Sequence, residues 1–286
     1  MNKRVLVTGS NGQLGQELRA LEKKYNQFDF LFTTKDELSI QDHFLLKKFF
    51  KKHNPSFCIN CAAYTAVDKA ETEKDLATRI NGDGPGFLAE ACDEVGTKFI
   101  HISTDYVFDG ASPIPYKETD ETNPVNHYGM SKLIGEKRVM ESIADAVIIR
   151  TAWVYSEYGN NFVKTMMRLM NERENLNVVS DQHGSPTYAA DLAEVILKII
   201  SKEKIIPGIY HYSNEGSISW YEFAEAIKEM TGSNCRINPI PTTQYPTPAK
   251  RPAFSLLDKT KIKSTFDLEI PDWKTSLKKC IVRLRK

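Results

Sequence analysis

The chain reads as an α/β protein: a doubly wound parallel sheet, with a smaller lobe supplied by its second half. Three observations carry that reading. The first 62 residues alternate strand, helix, strand, helix, strand. The strands are short apolar runs, as befits strands covered on both faces. The first of them passes through a glycine-spaced turn straight into an amphipathic segment.

Residues 5–8 form the first strand, and Gly9, Gly12 and Gly15 follow at intervals of three. A helix over 13–24 then places Leu14, Leu18 and Leu21 on one face. Glycine leaves no Cβ between backbone N–H groups and an incoming pyrophosphate, and a helix start adds unpaired N–H groups and the positive end of its dipole. With Asn11, Gln13 and Leu14 completing the turn, the stretch is an anion cradle between a strand and a helix, the context expected for a bound dinucleotide.

The second strand spans 28–33. The tract after it, Thr33-Thr-Lys35-Asp36-Glu37, offers a base for a 2′-phosphate and acids for a ribose hydroxyl, which leaves NADPH and NADH both open. Ser39 and Asp42 have the spacing of a capping box for a helix that ends near 53, before Pro55. A third strand over 57–62 leads into small residues, Ala62 and Ala63, that let a cofactor approach the backbone. The breakers over 80–86 predict a kink or a break before a helix over 87–95 closed by Gly96.

A fourth strand over 98–103 delivers Ser103 and Thr104 to the C-terminal edge of the sheet, where ligands of such folds bind. A polar, turn-rich loop over 113–124 is placed to cover that edge. Tyr128-Gly-Met-Ser-Lys132 enters the next helix, and residues four apart share a helix face, so phenol and ammonium can act on one substrate atom. Of the 12 tyrosines, Tyr128 alone has a lysine at this spacing. A fifth strand covers 146–152. Beyond it the alternation weakens, with helices expected over 160–172, 189–201, 221–231 and 273–285 and strands over 176–179 and 208–213. The reading divides the chain into a Rossmann-like dinucleotide-binding domain over 1–152 and, over 153–286, mainly a substrate-binding lobe with one or two elements returning to the sheet.

A formal charge of +1 with no long like-charge block argues against nucleic acid and anionic membrane as partners. No apolar run reaches membrane-spanning length and no signal peptide is recognised, so a cytoplasmic location is expected. Five cysteines, an odd number, argue against a disulfide framework; Cys58 and Cys61 are expected to be buried structural thiols rather than a metal pair.

Taken together, Thr-Gly-Ser-Asn-Gly-Gln-Leu-Gly (8–15), Ala-Ala-Tyr-Thr-Ala-Val-Asp-Lys-Ala-Glu (62–71), Ser-Thr-Asp-Tyr-Val-Phe-Asp-Gly (103–110), Tyr-Gly-Met-Ser-Lys (128–132), Arg-Thr-Ala-Trp-Val-Tyr (150–155) and Asp-Gln-His-Gly-Ser-Pro-Thr (181–187) resemble the dTDP-4-dehydrorhamnose reductase family, an extended branch of the short-chain dehydrogenase/reductases. The resemblance implies reduction of the C4 ketone of dTDP-4-dehydro-β-L-rhamnose with NADPH or NADH. It implies Tyr128 as proton donor, Lys132 lowering the phenol's pKa and holding the nicotinamide ribose, and Thr104 on the carbonyl. Cofactor contacts carry over to Ser39, Ile40, Ala63, Tyr64 and Thr65, and substrate contacts to Val67, Asp105, Tyr106 and Trp153. Ser39 stands where the family often has Asp.

Some members dimerise through magnesium. Glu17 matches one ligand, but Ala190 replaces another and the C-terminus is basic, so no metal site is expected and either a monomer or a homodimer is. Related dehydratases carry Asp-Glu after the catalytic Thr, whereas Asp105 is followed by Tyr106, which leaves elimination without its acid. An epimerase on this scaffold, or a non-catalytic subunit like the regulator of methionine adenosyltransferase, is the alternative reading.

Overall fold

In the computed structural model, which describes residues 3–285, the glycine turn joins β1 (Lys3–Thr8) to α1 (Gln13–Ala20). Gly9 has a φ of +64°, and a Cβ there would sit 2.5 Å from the Ala62 backbone nitrogen, so only glycine fits. The chain continues through β2 (Phe28–Thr33), α2 (His43–His53), β3 (Phe57–Asn60), α3 (Lys74–Thr78), α4 (Gly84–Val95), β4 (Lys98–Thr104), α5 (His127–Ser142) and β5 (Val147–Thr151). Then come β6 (Val154–Tyr155), α6 (Phe162–Glu172), β7 (Asn175–Val179), β8 (His183–Gly184), β9 (Thr187–Tyr188), α7 (Ala189–Ser201), β10 (Gly208–Tyr212), β11 (Ile218–Ser219), α8 (Trp220–Thr231), β12 (Arg236–Ile240), α9 (Thr260–Phe266) and α10 (Trp273–Leu284).

Six parallel strands make the main sheet in the order β10-β5-β4-β3-β1-β2. The order reverses between β1 and β3, which opens a crevice at the strand C-termini. Strand periodicity sorts the core. Val5, Val7, Ile59, Ile100 and Ile149 pack under α1 and α7, while Leu6, Cys58, Phe99 and Ile148 pack under α2, α4 and α5. A second core joins α6, α8 and α10 through Met166, Met170, Phe223, Ile227, Leu277 and Ile281. β7 and β12 pair in parallel beside it.

Several local readings need correcting. The first helix stops at Ala20 rather than at residue 24, and turns lead from there to β2. Asp42, not Ser39, caps α2, its carboxylate accepting the Leu45 N–H at 2.9 Å, while the Ser39 hydroxyl accepts from Gln41 N–H in the turn before. No break interrupts residues 74–95. A π-turn over Arg79–Asp83 carries α3 into α4, because Pro85 has no N–H to give the Asn81 carbonyl and a widened turn absorbs the mismatch. Gly96, at a φ of +73°, ends α4 as expected.

Candidate active site

A cleft of about 800 Å³ runs along the crevice. Its floor at one end is the glycine turn. Gly12 is extended (φ −74°) and caps α1 with no side-chain partner, so the first-turn N–H groups stay available to an anion. A Cβ on Gly15 would lie 2.6 Å from Ser10 Cα; this glycine lets α1 pack on the turn and does not line the cleft. Gly9, Asn11, Gly12, Gln13, Leu14, Ser39, Ile40, Ala63 and Thr65 all do line it.

Tyr64 lies outside the lining. Its N–H and carbonyl are both held by the Asn81 side chain, at 2.8 and 3.0 Å, and its hydroxyl donates to Glu73. Asn81 also donates to the Ser131 hydroxyl at 3.0 Å, so one fully buried amide ties the loop after β3 to α5. Sequence reading missed it, because an asparagine in a breaker-rich tract looks like turn chemistry.

At the other end β4 delivers Thr104, Asp105 and Tyr106, and α5 delivers Tyr128 and Lys132. Asn126 sets the start of α5 by accepting the Gly129 N–H at 2.8 Å. A Cβ on Gly129 would lie 2.1 Å from the Tyr106 carbonyl oxygen; this glycine is what lets α5 close on the Thr104 turn. Thr104 accepts the Tyr106 N–H at 3.2 Å and donates to Asp105 at 3.0 Å. Val67 and Trp153 line the same end. Trp153 has a φ of +48° and stacks on Trp220 at 3.6 Å, so its indole is held from behind.

Burial governs the electrostatics here. It pushes the Tyr128 phenol up to about 12, against the hydrogen bond with Thr104 that pulls it down. It pushes the Lys132 ammonium down to about 8, against the attraction of Glu136 one turn on. Lys132 donates to the Ile102 carbonyl at 2.6 Å, and Glu136 is paired with Arg150 in a buried bridge at 2.7 Å. The expectation that Lys132 lowers the phenol is therefore not met in the chain alone: desolvation dominates, and the opposing pull is that of Thr104. Asp105 is raised to about 6 by burial, against hydrogen bonds from Ser255 and Thr104 that pull it down.

The dinucleotide fits this cleft on three counts: a glycine wall at the helix start, an uncapped α1, and Lys132 and Tyr128 at the far end of one continuous cavity. Lys35 and Asp36 both line the end beyond β2. Glu37 is turned to the Thr34 N–H at 2.8 Å.

The family model described as the RmlD substrate binding domain matches residues 3–286. A dTDP-4-dehydrorhamnose reductase of Aggregatibacter actinomycetemcomitans is 42% identical over 96% of this chain and 97% of its own. The solved dTDP-4-dehydrorhamnose reductase of Clostridium acetobutylicum superposes with a TM-score of 0.94 at 43% identity, covering 99% of this chain and 100% of that one. That of Bacillus anthracis, solved in complex with NADP, gives 0.95 at 41% identity over 99% of this chain and 100% of its own. With a glycine cradle, a Thr-Tyr-Lys cluster and this agreement over its whole length, the chain belongs to the dTDP-4-dehydrorhamnose reductase family.

Proposed function

We propose that the protein reduces the C4 ketone of dTDP-4-dehydro-β-L-rhamnose to dTDP-β-L-rhamnose with NADPH. The observation that carries this reading is the meeting of Thr104, Tyr128 and Lys132 in one cleft with the glycine cradle. When bound, NADPH supplies the hydride. The chain's own residues hold and protonate. The turn from Gly9 to Leu14 and the start of α1 take the pyrophosphate, and Lys132 takes the nicotinamide ribose. Tyr128 gives its proton to the C4 oxygen as negative charge develops there, and Thr104, lining the same end of the cleft, is assigned to that carbonyl oxygen. Asp105, Tyr106, Val67 and Trp153, which line the same end of the cleft, are assigned to the sugar nucleotide.

The lobe over 153–286 is read as the substrate side, although β10 and α7 belong to the main sheet and its core. All five cysteines are free thiols, four of them buried, which supports a reducing, cytoplasmic setting. No helix among the described residues is long and apolar enough to cross a membrane. The oligomeric proposal is a monomer or a homodimer. Arg283 of α10 lies 3.6 Å from Glu17 of α1 and 3.1 Å from Glu157.

The test is incubation of the purified protein with NADPH and dTDP-4-dehydro-β-L-rhamnose, following cofactor absorbance and the sugar product together. One NADPH oxidised per dTDP-β-L-rhamnose formed is expected. Sugar conversion with no net loss of NADPH would make it an epimerase.

A further inference from the structure

Among the described residues, the hydrogen bonds that join the glycine turn to the substrate-side lobe all pass through one side chain. Gln13 is the first residue of α1, and its amide reaches from the turn to the stretch between β5 and α6. Its Oε1 accepts from Asn161 Nδ2 at 2.9 Å, with the Ser156 hydroxyl 3.3 Å away, and its Nε2 donates to the Val154 carbonyl at 3.3 Å. Asn161 is itself anchored. Its Nδ2 also donates to the Ser156 carbonyl at 2.8 Å, and its Oδ1 caps α6 by accepting the Lys164 N–H at 3.1 Å. Gly159 of the same stretch packs against Gln13, since a Cβ there would lie 3.3 Å from Gln13 Cγ.

Trp153 opens this stretch at a φ of +48°, a backbone conformation that a non-glycine residue keeps only when its surroundings hold it. Trp220 stacks on its ring from the lobe, and Gln13 holds the next carbonyl along the chain, that of Val154, from the cofactor side. Val154, Gly159 and Asn160 line the cleft beside Trp153. A bound pyrophosphate takes the N–H groups at the start of α1, and so fixes the backbone from which the Gln13 side chain departs. We propose that Gln13 is a positioning residue that couples the two sides of the site: cofactor on the glycine turn orders, through the Gln13 amide, the 153–161 stretch against which the sugar nucleotide binds. The cost of ordering is then met by the first ligand, and the second binds more tightly. The proposal rests on the reductase reading for its second ligand, whereas its effect on the stretch requires the cofactor alone.

Hydrogen exchange of the full chain, without NADP⁺ and at saturating NADP⁺, reads the first step. NADP⁺ should slow exchange of the 153–161 amides in the wild type. Gln13→Met, which keeps the length of the side chain and removes its amide, should lose most of that protection. Asn161→Asp, which keeps the α6 cap and removes the donor to Gln13, should do the same from the other side of the bond. Calorimetric titration with dTDP, which permits no turnover, reads the second step. NADP⁺ should tighten dTDP binding to the wild type by about fivefold or more, dTDP should tighten NADP⁺ by the same factor, and both variants should bring that factor to within about twofold of unity. Wild-type protection of 153–161 in both variants would overturn the proposal, and so would dTDP binding that NADP⁺ left unchanged in the wild type. If dTDP bound to no form, the substrate assignment of the reductase reading would fail, and the exchange measurements would decide the role of Gln13 by themselves.

Discussion

At the scale of single residues, the proton is the part of the mechanism with the sharpest test. Tyr128 keeps its ring but loses its hydroxyl in Tyr128→Phe, and kcat should fall by about 10²–10⁴-fold, the usual worth of a general acid, with NADPH binding little changed. A near-native kcat in that variant would move the proton donor elsewhere. Because the phenol sits up at about 12, it remains protonated throughout the working range and sets no limb of the pH profile below that. Lys132 sits down at about 8, so its charge is present below that pH and lost as pH rises through it. The rate should therefore fall on the alkaline side near pH 8. Lys132→Arg, whose charge persists, should abolish that limb whatever it costs in rate; an unmoved limb would assign it to another group. These residues were legible in the sequence because a Tyr and a Lys one helical turn apart are a local pattern. Their pKa values were not, since desolvation depends on what the rest of the chain stacks around them.

At the scale of elements, close approach decides the geometry. α5 reaches the Thr104 turn only because Gly129 has no Cβ, and the gap of 2.1 Å to the Tyr106 carbonyl leaves no room for one. Gly129→Ala should push the helix away, lowering stability by about 1–3 kcal/mol as overpacking does. Its larger effect should be on kcat, because a displacement of the order of 1 Å at the reacting groups costs about 10²-fold. Thermal unfolding and turnover measured together check this, and an active Gly129→Ala enzyme of unchanged Tm would show that the helix does not need the contact. Element boundaries set by local signals, such as Gly96 ending α4 and the start of α7 at Ala189, were readable in advance. The π-turn over Arg79–Asp83 was not, although its cause, Pro85, was in plain view: a proline can break a helix or widen it, and the packing of α5 against Asn81 chooses.

At the scale of the whole molecule, the first and last helices meet over a buried carboxyl. Glu17 of α1 is raised to about 8 by burial and by the facing Glu157, against the pull of Arg283 from α10. An unfolded glutamate ionises near 4.5, so the folded state holds the extra proton between that value and about 8. Stability from this site is greatest on the acid side of the window and declines as pH rises through it. Glu17→Gln removes the titration, and its Tm should gain on the wild type steadily from about pH 5 to pH 8. A difference in Tm that stayed flat with pH would show that Glu17 is ionised in the fold.

The sequence by itself determined the alternation that makes a parallel sheet, the glycine cradle and the Thr104, Tyr128 and Lys132 set. Each depends on residues a few places apart, and a period of two or of 3.6 can be read locally. What only the tertiary structure decided is which distant segments share a surface. It returned β10 and α7 to the first half's sheet, seated Asn81 between Tyr64 and Ser131, and brought Arg19 over Phe32. Such contacts arise from packing between elements far apart in the chain, and no short-range pattern encodes them.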